Sequence, residues 1–171
     1  MTICPLFAPT ERPLERAELM ALVRDVAAHP EWWEHRLDAN AGTRTYEALH
    51  RDAHVDLWAI AWYPQSDTGW HDHDTSSGAV HVVRGELVES VLRIGRAEAH
   101  CGYGAGSGFS FAPTHIHRLA CESGRAVSIH AYSPPLPPRR PLRHPHHGAS
   151  PAATTRGKTL PARGWPRGQA R

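Results

Sequence analysis

Cysteine is scarce in this chain of 171 residues: Cys4, Cys101 and Cys121 are the full set. Three is an odd number and no Cys-x-x-Cys pair occurs, so reduced thiols are expected in place of a disulfide framework or a zinc knuckle. Charge of one sign is lacking too. Lys and Arg number 19 against 17 Asp and Glu, a net charge of +2, and the basic residues gather after residue 136. The body therefore carries no footprint for nucleic acid or an anionic membrane surface. No apolar run approaches the roughly 20 residues that a membrane span needs. Met1-Thr2-Ile3-Cys4-Pro5 lacks the charged and then apolar pattern of a secretory leader. The expectation is a soluble, cytoplasmic, monomeric protein with neither nucleic acid nor membrane as a partner.

The length suits one domain with a sizeable core. Residues 11–29 read as an amphipathic helix, with Thr10 as its cap, Pro13 near its first turn, and Leu19, Leu22, Val23 and Val26 at three- and four-residue spacing. Pro30–Leu37 reads as a second short helix whose Trp32 and Trp33 pack helix against sheet. From Val55 the period becomes two. Val55–Trp62, Ala79–Val83, Glu86–Leu92 and Ala126–Tyr132 are strands broken by Gly, Pro, Asp and Ser turns. Gly102–Gly108 is glycine-rich but precedes a strand, Phe109–Phe111, where a phosphate loop would need a helix; it is expected to be a flexible connection. The pattern is mainly β and predicts a double-sheet jelly roll. Residues 1–40 form a helical segment packed on a barrel of residues 41–136. Residues 137–171 are rich in Pro, Arg and His with almost no apolar periodicity, and are expected to be disordered. His144, His146 and His147 there read as part of a solvated tail.

Histidine is what the chain has in excess, 14 in all. His71 and His73, in Trp70-His71-Asp72-His73-Asp74, stand two apart, so on a strand both imidazoles leave one face and can converge on one point. Imidazole suits first-row transition metals, and two such residues are half of a mononuclear site. Further along, Phe109–Arg118 offers His115 and His117 as a third ligand. The segment Ala126–Tyr132 alternates so that Ser128, His130 and Tyr132 share a face.

These pieces resemble a known family. In cupin barrels the first metal motif is His-x-His, a few residues, Glu, and six further residues to a Gly. Here His73 and Gly85 hold their places, and Gly78 stands where the Glu would be. Trp62 nine residues before the His-x-His, Gly85-Glu86-Leu87-Val88-Glu89, Ile116-His117-Arg118, and Ser128-x-His130-x-Tyr132-Ser133-Pro134-Pro135 follow in order over roughly residues 44–136. In that order and spacing the chain is similar to bacterial members of the cysteine dioxygenase family of thiol dioxygenases.

The resemblance implies a cupin barrel holding Fe(II) on His71, His73 and His117, with His117 favoured over His115 because Ile-His-Arg matches the family motif. The usual non-heme iron site has two histidines and a carboxylate. An all-histidine shell leaves the Fe(II) charge uncompensated, which favours an anionic thiolate. The implied reaction joins a small thiol to O2 and yields a sulfinate, with L-cysteine as the first candidate substrate. Ser128, His130 and Tyr132 match the family's hydrogen-bond relay, whose phenol steadies bound substrate or oxygen. Animal relatives cross-link this tyrosine to a cysteine; Gly78 occupies that position, so no cross-link can form. Cys101 and Cys121 are read as structural. Relatives that take cysteine hold its carboxylate with the Arg of a Tyr-x-Arg motif. Here the two residue types are swapped, as Arg44 and Tyr46, with Arg51 and Arg118 as weaker alternatives. Other readings are a different metal-cupin dioxygenase or isomerase, a mercapto-acid dioxygenase, and a ligand-binding cupin without catalysis.

Overall fold

A computed structural model describes residues 9–38, 42–122 and 124–137. The expected disorder of the tail, and its His144, His146 and His147, lie outside the described residues.

The first helix, α1, spans Arg16–Ala27 and starts later than the periodicity predicts. Its N-terminus is closed by a capping box between Glu15 and Glu18, not by Thr10. Thr10 has another partner: its amide and hydroxyl both donate to the Asp52 carboxylate, at 2.7 and 3.0 Å. The Leu14 amide donates to Ser133 Oγ at 2.8 Å. These ties hold residues 10–14 against the sheet and delay the helix. Leu19, Val23 and Val26 form its buried stripe, each contributing roughly 1.5–3 kcal/mol on burial. Pro30–Leu37 is a pair of 3-10 turns, Pro30–Trp32 and Glu34–Arg36, in place of one short helix. Trp33 is fully buried and its indole N–H donates to the Val26 carbonyl at 3.0 Å, locking the turns onto α1.

Among the described residues nine strands follow: β1 Thr45–Arg51, β2 Asp56–Trp62, β3 Ser66–Asp67, β4 Ser77–Arg84, β5 Glu86–Leu92, β6 Ala99–Gly104, β7 Gly108–Phe111, β8 Ile116–Cys121 and β9 Ala126–Ser133. They make two antiparallel sheets, ordered β1-β2-β9-β4-β7 and β3-β8-β5-β6. The result is the mainly β, double-sheet cupin architecture expected, with the helix as a third layer. Leu57, Ala59, Ala79, Ile129 and Ala131 on the outer face of the five-stranded sheet pack with the α1 stripe. Trp62, Val80, Val82, Phe111 and Tyr132 face inward against Leu87, Leu119 and Cys121 of the second sheet. Among the described residues no helix is long and apolar enough to cross a membrane.

Two of the strands outside the period-two reading, β1 and β6, escape it for physical reasons. In β1 the register against β2 shifts between Ala48 and His50, so the alternation is interrupted mid-strand. The glycine-bearing segment expected to be a flexible connection is split: Gly102 and Gly104 belong to β6, an edge strand paired with β5, whose largely exposed side chains carry no apolar signal. Phe109–Arg118 is likewise not one strand. β7 ends at Phe111, a turn closed by His115 N–H on the Ala112 carbonyl intervenes, and β8 begins in the other sheet. Gly85 makes the sharp β4–β5 turn with φ +73°, where a Cβ would lie 2.2 Å from the Arg125 carbonyl oxygen.

Candidate metal centre

His71 and His73 do not lie on a regular strand, as their spacing suggested. His71 forms a single antiparallel bridge to His117, each backbone N–H donating to the other's carbonyl at 3.0 Å. The chain then turns, with Asp74 at φ +57° and the Ser76 amide bound to the His73 carbonyl. The convergence expected from a strand is therefore achieved by a bridge and a turn. A paired backbone fixes two of the three imidazoles relative to one another.

The three rings meet between the sheets. Centroid separations are 4.8 Å for His71–His73, 4.8 Å for His71–His117 and 5.0 Å for His73–His117, and one donor nitrogen from each lies within 4.8 Å of the others. His73 and His117 are 2% and 1% exposed. Two of the rings have their tautomers set by hydrogen bonds. His71 Nδ1–H donates to the Gly69 carbonyl at 2.9 Å, and His117 Nδ1–H to Glu89 Oε1 at 2.7 Å. Each is left with a bare Nε2 lone pair, the form a metal requires. The donor set thus fits a first-row transition metal held by three neutral imidazoles.

His115 follows a different course. It precedes β8, and its Nε2 contacts Glu89 Oε1 at 2.8 Å, so it joins a second group of donors, Glu89, His115 and His117, behind the first. Sequence reasoning placed Glu89 in a motif but missed its contact with the histidines. The available signal was a carboxylate alternating with Leu87 and Val91, on the face of β5 that is otherwise apolar and buried.

Gly78 pairs with Phe111 across β4 and β7. A Cβ on Gly78 would lie 2.2 Å from Phe111 Cζ and 2.6 Å from Cε2. The phenyl ring fills the space a side chain would need, with its centroid 4.4 Å from that of His73 and 5.0 Å from that of His117. The missing carboxylate has thus been replaced by an apolar wall. Phe111 was not singled out from sequence, because nothing in a strand of alternating aromatics says which glycine it will cover.

Ser128, His130 and Tyr132 are brought together as the alternation predicted. Ser128 Oγ is 2.7 Å from His130 Nε2, and His130 Nδ1 is 3.1 Å from the Tyr132 oxygen. Trp62 extends the series, its indole N–H donating to Ser128 Oγ at 2.8 Å. An indole can only donate, so the Ser128 O–H is directed to His130 Nε2. His130 Nδ1–H then donates to the phenol oxygen, and the Tyr132 O–H becomes the outward donor. This polarity requires a neutral His130. Burial above all pushes its pKa down to about 3. The Tyr132 ring stacks on His73 with centroids 5.4 Å apart, placing the end of the relay beside the histidine cluster.

The carboxylate-binding candidates separate. Arg44 precedes β1 with its guanidinium carbon 5.3 Å from the Trp62 ring centroid, and Nη1 donates to the Asp67 carbonyl at 2.8 Å. It stands next to the relay. Tyr46, 62% exposed, lies edge-on to Trp58 at 5.9 Å, and is not gathered with the histidines. Arg51 pairs with buried Asp56 at 3.1 Å and donates to the Leu136 carbonyl. Arg118 faces Asp67 at 3.4 Å and the Trp70 ring at 5.8 Å. Both are engaged in holding strands and loops. Of the thiols among the described residues, Cys121 is buried in the core and Cys101 is exposed, and neither is in a disulfide.

Comparison with solved structures agrees with the fold. A cupin superfamily protein from Desulfitobacterium hafniense aligns over 73% of this chain and 93% of its own, with TM-score 0.51 and 14% identity. The protein TT1209 from Thermus thermophilus aligns over 59% and 92%, with TM-score 0.50 and 19% identity. Against an oxalate oxidase solved with the substrate analogue glycolate (TM-score 0.47, 15% identity, 55% of this chain), the chain spans only 52% of that protein's length. At sequence level the match is direct. The family model for cysteine dioxygenase type I covers residues 10–142, which takes in α1, both sheets, all three converging histidines and the whole relay. This chain, by that match, belongs to the cysteine dioxygenase type I family.

Proposed function

We propose that the protein is an iron(II)-dependent thiol dioxygenase that converts a small thiol and O2 to the corresponding sulfinate, with L-cysteine as the first candidate. The observation that carries this reading is the juxtaposition of three converging histidines with a relay whose terminal phenol stacks on one of them. A binding cupin has no evident use for such a relay, and an isomerase would need a general acid and base in place of an open metal face. The overall change is balanced, RSH + O2 giving RSO2H, with the sulfur oxidised and both oxygen atoms supplied by O2.

His71, His73 and His117 would hold the metal through their three converging ring nitrogens. Ferrous iron, when bound, supplies the redox chemistry and the positions where a thiolate and O2 meet. The chain's residues bind, orient and exclude water. Phe111 and the buried faces of His73 and His117 keep one wall dry, which strengthens every charge interaction inside. Tyr132, made an outward donor by Trp62, Ser128 and His130, holds a proton where an anionic substrate or oxygen atom would lie. Arg44, beside Trp62, is the group that would pair a substrate carboxylate. Gly78, covered by Phe111, leaves no carboxylate on this wall to pair a substrate ammonium. A mercapto-acid without an amine is the second reading on the same ground.

The test is oxygen uptake by iron-loaded protein with L-cysteine, a mercapto-acid and cysteamine, with mass spectrometry of the product. A sulfinate carrying two atoms from labelled O2, formed from the carboxylated thiols and poorly from cysteamine, is expected. Cysteamine consumed as readily as cysteine would refute the carboxylate assignment. Absence of turnover with every thiol would refute the dioxygenase reading.

A further inference from the structure

The buried carboxylate behind the metal centre has no place in the relay or the ligand set, yet it is among the most fully engaged side chains in the core. Glu89 is 3% exposed. One oxygen, Oε1, faces both His117 Nδ1 at 2.7 Å and His115 Nε2 at 2.8 Å. The other, Oε2, accepts from the Tyr103 hydroxyl at 3.3 Å. Its strand, β5, pairs with β8 so that Glu89 lies opposite Leu119, while Val91 lies opposite His117. Two imidazole nitrogens and a phenol hydroxyl converge on its two oxygens, a donor set that suits an ionised, acceptor-only carboxylate. Glu89 is thus an anion within the barrel.

We propose that Glu89 is a positioning residue for His117 that returns, one bond behind the metal, the negative charge removed from the ligand shell at Gly78, and that His115 limits this effect by sharing the same carboxylate oxygen. The inference rests on the metal reading above. The physics has two parts. A carboxylate on Nδ1–H fixes the ring's tautomer and orientation, and it makes Nε2 a more basic ligand. An oxygen that accepts two N–H bonds gives less to each. His115, on a turn outside β8 and 24% exposed at its side chain, therefore acts as a competitor for the charge, and its removal should strengthen the Glu89–His117 bond.

Opposite effects from two neighbouring residues are what a purely structural role would not produce. The experiment measures Co(II) affinity of the apoprotein by calorimetry and the Fe(III)/Fe(II) midpoint potential of the iron form, neither of which needs thiol or turnover. Glu89→Gln should weaken Co(II) binding about 10–100-fold and raise the potential, with Glu89→Asp falling between the variant and the wild type. His115→Ala should move the potential the other way and tighten Co(II) binding. Equal affinity and potential in wild type and a folded Glu89→Gln would overturn the proposal, as would His115→Ala shifting in the same direction as Glu89→Gln. Two metal ions per wild-type chain, falling to one in Glu89→Gln, would also overturn it by making Glu89 a ligand. A wild type that binds no Co(II) would instead sink the metal reading itself, so the two failures are distinguishable. Should Glu89→Gln not fold, the Glu89→Asp and His115→Ala pair carries the same sign test.

Discussion

Substituting Gly78 by Ala tests whether the ligand shell lost its carboxylate to packing. The backbone at Gly78 is not in the left-handed region, so alanine has no conformational objection there. In a strand it would be favoured over glycine by roughly 0.5–1 kcal/mol. The obstacle is the ring: the new Cβ would lie 2.2, 2.6 and 2.9 Å from three atoms of Phe111. Phe111 cannot retreat easily, since it is 2% exposed and packed on His73, His115 and His117. Overpacking of this kind costs about 1–3 kcal/mol, and a protein of this size loses about 2–4 °C per kcal/mol, so the melting temperature should fall by roughly 2–12 °C. The assay is thermal unfolding of the metal-free protein by circular dichroism, run as a double-mutant cycle with Phe111→Leu. In the Phe111→Leu background the clash is gone, and Gly78→Ala should become neutral or slightly stabilising, a coupling of about 1–3 kcal/mol. Additive effects, or a Gly78→Ala variant as stable as the wild type, would refute the reasoning. If the cycle behaves as expected, Gly78→Glu alone will not rebuild a two-histidine, one-carboxylate shell, because its Cβ has nowhere to go.

Tyr132→Phe should cut turnover by at least about tenfold while metal content and Co(II) affinity stay at wild-type values, the pattern of a group that acts after the metal is in place; an unchanged rate would return the relay to a packed strand. His130 should stay neutral in metal-free protein well below pH 6, since burial holds its folded pKa near 3 against about 6.5 when unfolded. The unfolded chain then binds the extra proton, so stability is lost as pH falls from about 6.5 towards 3; an imidazole NMR titration placing His130 near 6.5 would contradict this. Arg44→Ala should raise the apparent KM for a carboxylated thiol far more than it lowers kcat, and leave cysteamine kinetics unaltered; equal losses for both substrates would remove Arg44 from the substrate site. A chain ending at Pro137 retains every hydrogen bond of the relay and the histidine cluster, and should melt cooperatively and load metal like the full protein; insolubility or a broadened transition would show that residues beyond Pro137 are needed.

The alternation of β2, β4, β5 and β9 is legible in sequence because each has one face on the barrel core, and side-chain period is a local property. So is the relay: Ser128, His130 and Tyr132 must share a face once the segment is a strand. The histidine spacing and its neighbouring motifs likewise pointed to the family that the comparison identifies. What sequence could not settle is set by contacts across the two sheets. The interrupted register of β1 and the exposed edge of β6 erased their periodic signal. His71 meets His117 through a bridge between segments 46 residues apart in the chain, not through the geometry of a single strand. His115 and His117 are equivalent as residue types; only the path of the β7–β8 turn sends one behind Glu89 and leaves the other facing His71 and His73. Gly78 reads in sequence as an omission. In the fold it is a requirement, because Phe111, 33 positions later, fills the volume where a ligand's side chain would begin. Local periodicity decides which residues share a face, whereas close packing between distant strands decides which of them can occupy the same few cubic ångströms.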